Sequence, residues 1–294
     1  KRDEDARKKE ISTVIPRVLF ADFAKRLLPY WKEIRKSYES FYWYAMQNLV
    51  AFFKDMYLDE ISALHVAQYG TERRESVKGS TVNRELSVLK RAFNLAKLWR
   101  LIKSDAPNPV KGIDRFREEK SLVRFLEPDE INQLLSNCSA SLKPVVTVAL
   151  HTGLRRGELL NLRWKHVDFN NNMVMVENTK SGKVREIPMS SEVRDMLWVL
   201  SSDKKKDDLV FLNSKGTVYK DIRTAFKAAL RKSGIDRFRF HDLRHTFASN
   251  LVKSGTDLAT LRDLLGHSSI LTSMIYVHLA PNQKQSAINK LEKH

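Results

Sequence analysis

Five short segments in the second half of the chain carry side chains able to do chemistry. They are Thr152-Gly-Leu-Arg-Arg-Gly-Glu158, the loop holding Lys180, His241-Asp-Leu-Arg244, Leu265-Gly-His267 and, nine residues on, Tyr276. Arg155 and Arg244 stay charged at neutral pH, and each offers a planar fork to two oxygens of an anion. His241 and His267 can donate a hydrogen bond or take a proton near neutrality. Tyr276 is a candidate nucleophile, but a free tyrosine has a pKa of about 10 and needs help to attack at neutral pH. Such a set suits phosphoryl transfer, where charge builds on the non-bridging oxygens of the phosphorus under attack. Each segment alone also has a plainer reading. An Arg-x-x-Glu pair is commonly a helix-surface ion pair. His241 and Arg244 share a helix face whatever their task, and a tyrosine near a chain end commonly packs. His241 and His245 have the spacing of metal ligands, yet no cysteine or carboxylate cluster accompanies them, so neither a metal nor a cofactor is expected. A serine nucleophile is not expected either, since the chain lacks a Gly-x-Ser-x-Gly elbow.

The elements that must position these groups are mostly helices. An apolar-rich stretch runs from Tyr38 to Phe53, and another begins at Ser80-Thr81, residues suited to an N-cap. The second carries Val82, Leu86, Leu89, Phe93 and Ala96 at helical spacing, which predicts a core face opposite Arg84, Lys90, Arg91 and Lys97. Pro107-Asn108-Pro109 closes the segment. Residues 113–124 are charged and lack an apolar period, and read as a linker. Pro128-Asp129-Glu130 then opens a helix that starts a second domain. Met173 to Glu177 and Val184 to Met189 have strand character, with Asn178 to Lys183 as the hairpin loop between them. Ile222, Phe226 and Ala229 form one later helical stripe, ended by Gly234; Leu258, Leu261 and Leu265 form another, ended by Gly266. The expected fold is mainly α with a small β-sheet: a helical domain over residues 1–112, the linker, and a larger domain over residues 125–294.

Of 294 residues, 52 are Lys or Arg and 35 Asp or Glu, a net charge of +17. That excess favours a polyanionic partner. Cys138 is the single cysteine, so no intrachain disulfide forms, as in a reducing, cytoplasmic setting. No apolar run approaches the roughly 20 residues of a membrane span, and no membrane partner is expected. The chain starts with a charge run and lacks an initial Met, so an upstream piece is expected.

In their order and spacing the five segments resemble the tyrosine recombinase family of phage integrases and Xer-type recombinases. Arg155, Lys180, His241, Arg244, His267 and Tyr276 match that family's Arg…Lys…His-x-x-Arg…His…Tyr set. Thr81-Val-Asn-Arg-Glu-Leu86 and Asn108-Pro-Val-Lys-Gly112 resemble its core-binding domain, so the likeness spans nearly the whole chain. The resemblance implies a core-binding domain and an integrase-type catalytic domain clamped around double-stranded DNA. It implies that Tyr276 forms a 3′-phosphotyrosine and that Lys180 is the general acid for the 5′-oxygen. We assign the tyrosine's proton to His241, oxyanion stabilisation to Arg155 and Arg244, and a supporting role beside Arg155 to Glu158. Arg156 reads as a surface or DNA-backbone contact and His278 as structural. Further expectations are a homotetramer on two duplexes, accessory DNA-bending proteins, nucleoid association and integration or excision of a mobile element. An upstream arm-site-binding domain, and a tail with Ala287, Ile288 and Leu291 docking on a neighbouring protomer, complete the set. The rival readings are a topoisomerase of the same chemistry and a non-catalytic DNA-binding regulator.

Overall fold

The computed structural model describes residues 17–35, 38–118, 123–177, 184–219 and 221–280. The chain divides into two compact units, Lys1–Lys120 and Ser121–His294. Among the described residues no helix is long and apolar enough to cross a membrane.

The first unit is helical: α1 (Phe20–Ile34), a π-turn (Tyr38–Tyr42) leading into α2 (Trp43–Phe53), α3 (Ala63–Ser76) and α4 (Gly79–Leu98). Val82, Leu86, Leu89, Phe93 and Ala96 all lie in its core, as their spacing predicts. The helix begins slightly earlier than Ser80, because the Lys78 carbonyl already accepts from the Thr81 and Val82 amides. Two asparagines of the family-like motifs tie loops to α4. Asn108 Nδ2 donates to the Lys90 carbonyl at 2.9 Å. Asn83 pairs reciprocally with the Phe116 backbone, at 2.9 and 3.0 Å. Residues 113–118, the first part of the segment read as a linker, are therefore held against α4. Ile113 and Phe116 pack on that core, a docking that two isolated apolar side chains do not announce in a charged run.

The second unit opens with α5 (Pro128–Asn137), α6 (Lys143–Thr152) and α7 (Arg156–Leu160). A three-stranded antiparallel sheet follows: β1 (Val167–Asp168), β2 (Met173–Glu177) and β3 (Val184–Pro188), in the order β1-β2-β3. Val174 pairs with Ile187, and both point inward. The hairpin loop with Lys180 lies outside the described residues. Next come α8 (Ser191–Leu200), α9 (Arg223–Lys232), α10 (Asp242–Lys253), α11 (Leu258–Leu265), α12 (Ile270–Ser273) and a 3-10 turn (Met274–Leu279). Ile222, Phe226 and Ala229 are buried as predicted, and so are Leu261 and Leu265. α10 packs along α6 through the middle of the unit. Phe247, Ala248 and Val252 of α10 meet Leu261, Leu265 and the Tyr276 ring in one apolar cluster.

Candidate active site

Two helix ends build the site. α6 stops at Gly153 (φ 60°) and α11 at Gly266 (φ 62°), both left-handed. This conformation costs glycine nothing, and it leaves the last carbonyls of each helix free of intrahelical partners. Guanidiniums take them. Arg244 donates from Nη1 to the Gly153 carbonyl at 2.7 Å and from Nη2 to the Leu265 carbonyl at 2.6 Å. Arg155 Nη2 donates to the Gly266 carbonyl at 3.0 Å. The partial negative charge of a helix C-terminus favours these cations. A Cβ at Gly153 would overlap the Phe247 ring, and one at Gly266 would overlap the Arg185 guanidinium.

Glu158 fixes the arginines from the other side. Its Oε1 accepts from Arg155 Nη1 at 2.8 Å, and its Oε2 accepts from the Arg155 amide at 2.8 Å and Arg185 Nη2 at 3.0 Å. Burial alone would raise this carboxyl; the Arg155 amide and the Arg185 and Arg155 charges outweigh it and hold it below the usual range. Burial, then the neighbouring Arg155 and Arg185, pushes Arg244 down to about 10, so it remains charged at neutral pH. Three guanidiniums thus face one carboxylate. Such a local excess of positive charge attracts an anion.

The nucleophile candidate comes from the 3-10 turn. Tyr276 is 1% exposed, and its hydroxyl lies 2.6 Å from His245 Nδ1. Burial pushes the phenol up to about 12. Burial, and then His241, lowers His245. The phenol therefore keeps its proton beside a neutral imidazole, and it donates to Nδ1 in the tautomer that carries the ring proton on Nε2. His241, one turn back at the N-cap of α10, stacks edge-on against His245 with centroids 5.3 Å apart, and burial followed by Arg244 lowers it too. His267 Nδ1 lies 2.8 Å from Ser273 Oγ; burial, Arg244 and Arg155 push it down to about 4. An open cavity of about 820 Å³ is lined by Glu158, Arg185, Gly266 and His267 among others. Among the described residues no group of three or more His, Cys, Asp or Glu side chains gathers as a metal site would require.

The phage integrase family model matches residues 124–283. A tyrosine recombinase of Pseudothermotoga lettingae is 30% identical over 249 residues, covering 81% of this chain and 85% of its own. The chain belongs to the phage integrase family. An integrase of Escherichia phage 186 is 33% identical over 225 residues, 74% of this chain and 62% of that one. The Tn1549 transposon integrase, solved as a shortened chain with a circular-intermediate DNA, matches at a TM-score of 0.74 and 20% identity, over 94% of this chain and 99% of that solved chain. As a member, the chain is a site-specific recombinase that cuts and rejoins DNA; the topoisomerase and regulator readings are not favoured.

Arg155, Arg244 and His267 sit around the end of α11, while Lys180 falls outside the described residues. His241 is at the site, but His245 rather than His241 holds the Tyr276 hydroxyl. Sequence reasoning weighed His245 only as a metal ligand, although its place one turn beyond His241 on the same face was a usable signal. Arg185 was missed altogether. Its signal was the alternation Arg185-Glu186-Ile187, which sets a charged residue on the buried face of β3.

Proposed function

We propose that Tyr276 attacks a phosphodiester of double-stranded DNA at a specific site and conserves the bond as a 3′-phosphotyrosine. The phenol proton passes to His245 Nδ1 as its oxygen bonds to phosphorus, and the bond to the 5′-oxygen breaks. By family resemblance Lys180 protonates that leaving oxygen. Arg155 and Arg244 hold the non-bridging oxygens, with His241 and His267 as further donors. A 5′-hydroxyl from the second duplex then attacks the phosphotyrosine, and the tyrosine leaves with its proton restored. Phosphate bond energy is conserved throughout, so no nucleotide cofactor is consumed. The observation that carries this reading is the hydrogen bond between Tyr276 and His245 in the unit that also aims Arg155 and Arg244.

Because Tyr276 is buried, attack requires the Met274–Leu279 turn to shift on DNA binding. On α12 and this turn Ile270, Leu271, Met274, Ile275 and Val277 are exposed. These apolar side chains suit docking by the tail of a neighbouring protomer within a tetramer on two duplexes, which would couple cleavage between subunits. Integration or excision of a mobile element, accessory DNA-bending proteins and nucleoid association belong to the same reading. The test is a nicked suicide substrate carrying a site drawn from neighbouring DNA. The wild type should accumulate a covalent protein–DNA species, and Tyr276→Phe should bind the DNA with nearly the same affinity and form none. An adduct that persists in Tyr276→Phe would move the nucleophile elsewhere.

A further inference from the structure

Arg185 touches both supports of the phosphate-binding pair. Its Nη2 donates to Glu158 Oε2 at 3.0 Å, and Glu158 aims Arg155 through two further hydrogen bonds. Its Nη1 donates at 2.8 Å to the Leu265 carbonyl, the oxygen that Arg244 also uses. Placing this charge here is costly. The side chain is 13% exposed, and Nε is buried without an acceptor. Unpaired buried donors are uncommon in folded proteins and call for an explanation. Gly266 adds an independent sign, because the space its missing Cβ would fill is occupied by Arg185 Nη1.

A residue serving the sheet alone would be cheaper as an aliphatic, since a buried ion pair is a weak source of stability. We propose that Arg185 is a positioning residue for cleavage, locking Arg155 and Arg244 into one rigid anion cradle through Glu158 and the end of α11. It makes no bond to the reacting phosphate. Its effect on rate passes through the two guanidiniums, whose alignment with the developing charge sets their value in the transition state.

The inference rests on the phosphotyrosine reading, and one experiment separates the two. Single-turnover cleavage of a suicide substrate is followed for the wild type, Arg185→Gln and Arg185→Lys, with DNA affinity and melting temperature measured alongside. The rate constant is read from the folded, DNA-bound fraction, so partial unfolding lowers amplitude and leaves the rate intact. Arg185→Gln should slow cleavage by about 10–100-fold, as loss of a supporting partner does around other reactive centres. DNA affinity should stay nearly constant, and Arg185→Lys, which keeps the charge and one of the two bonds, should fall between. The decisive arm uses a scissile methylphosphonate, which lacks the non-bridging charge that the guanidiniums neutralise. There the deficit of Arg185→Gln should shrink towards none. A deficit of equal size on both substrates, or one abolished instead by a 5′-bridging phosphorothiolate that needs no general acid, would overturn the proposal. Wild-type protein that forms no adduct at all would count against the phosphotyrosine reading, whereas active Arg185→Gln would count against Arg185 alone.

Discussion

At the scale of single residues, the chemistry turns on which imidazole meets the phenol. Tyr276 and His245 form a short hydrogen bond between a protonated phenol and a neutral ring. Because His245 is lowered from its ordinary value of 6.5, it stays able to accept a proton when a free histidine is already charged. The acid limb of kcat/KM for cleavage should therefore lie below pH 6.5, and His245→Asn should lower the plateau and change that limb. A plateau and limb indistinguishable from wild type would return the acceptor role to His241. Arg155→Ala and Arg244→Ala should each slow cleavage by about 10²–10³-fold or more, the range for losing a preorganised donor to an oxyanion. Near-wild-type rates would remove them from the site. Residue types and order alone singled out Arg155, Arg244 and His267, which the fold brings together at the end of α11. They did not reveal who bonds to whom, since choosing between histidines four apart needs the position of a tyrosine thirty-one residues away.

At the scale of elements, helix ends matter more than helix bodies. Gly266 was legible as a stop signal for α11, and the strands fell where β character and a hairpin loop set them. What the sequence could not display is that the carbonyls freed at Gly153, Leu265 and Gly266 become acceptors for Arg244, Arg185 and Arg155. Those pairings join residues up to 111 positions apart, beyond any local periodicity. Gly153→Ala must take both a positive φ and an overlap with Phe247, so it should destabilise the protein by more than about 1 kcal/mol. A thermal melt within error of wild type would mean that the α6 end is freer than described. Gly266→Ala strains the same kind of backbone and pushes on Arg185, so its cleavage rate should fall as well as its melting temperature. The docking of residues 113–118 on α4 escaped the charge-run reading for a related reason. It depends on the Asn83 amide pairing with a distant backbone segment.

At the scale of the whole molecule, the net charge of +17 should make DNA binding steeply salt-dependent. With about 6–10 phosphates contacted, affinity should drop by about 10³–10⁵ between about 50 and 200 mM salt, and a flat profile would mean that the basic surface does not face DNA. Stability should also respond to acid. His267 is lowered from 6.5 to about 4, so the folded state resists its protonation more than the unfolded chain does. That contribution is complete above pH 6.5 and is lost as the pH falls towards about 4, so the melting temperature should decline across that window. His267→Asn should flatten the decline; an unchanged slope would show that other groups set it. The central claim concerns one bond, between the Tyr276 oxygen and a DNA phosphorus. The most direct measurement traps the protein on a nicked suicide substrate, digests the adduct and sequences the DNA-linked peptide by mass spectrometry. The account predicts a 3′-phosphonucleotide on Tyr276; the same group on any other side chain, or a 5′-linked nucleotide on Tyr276, would contradict it.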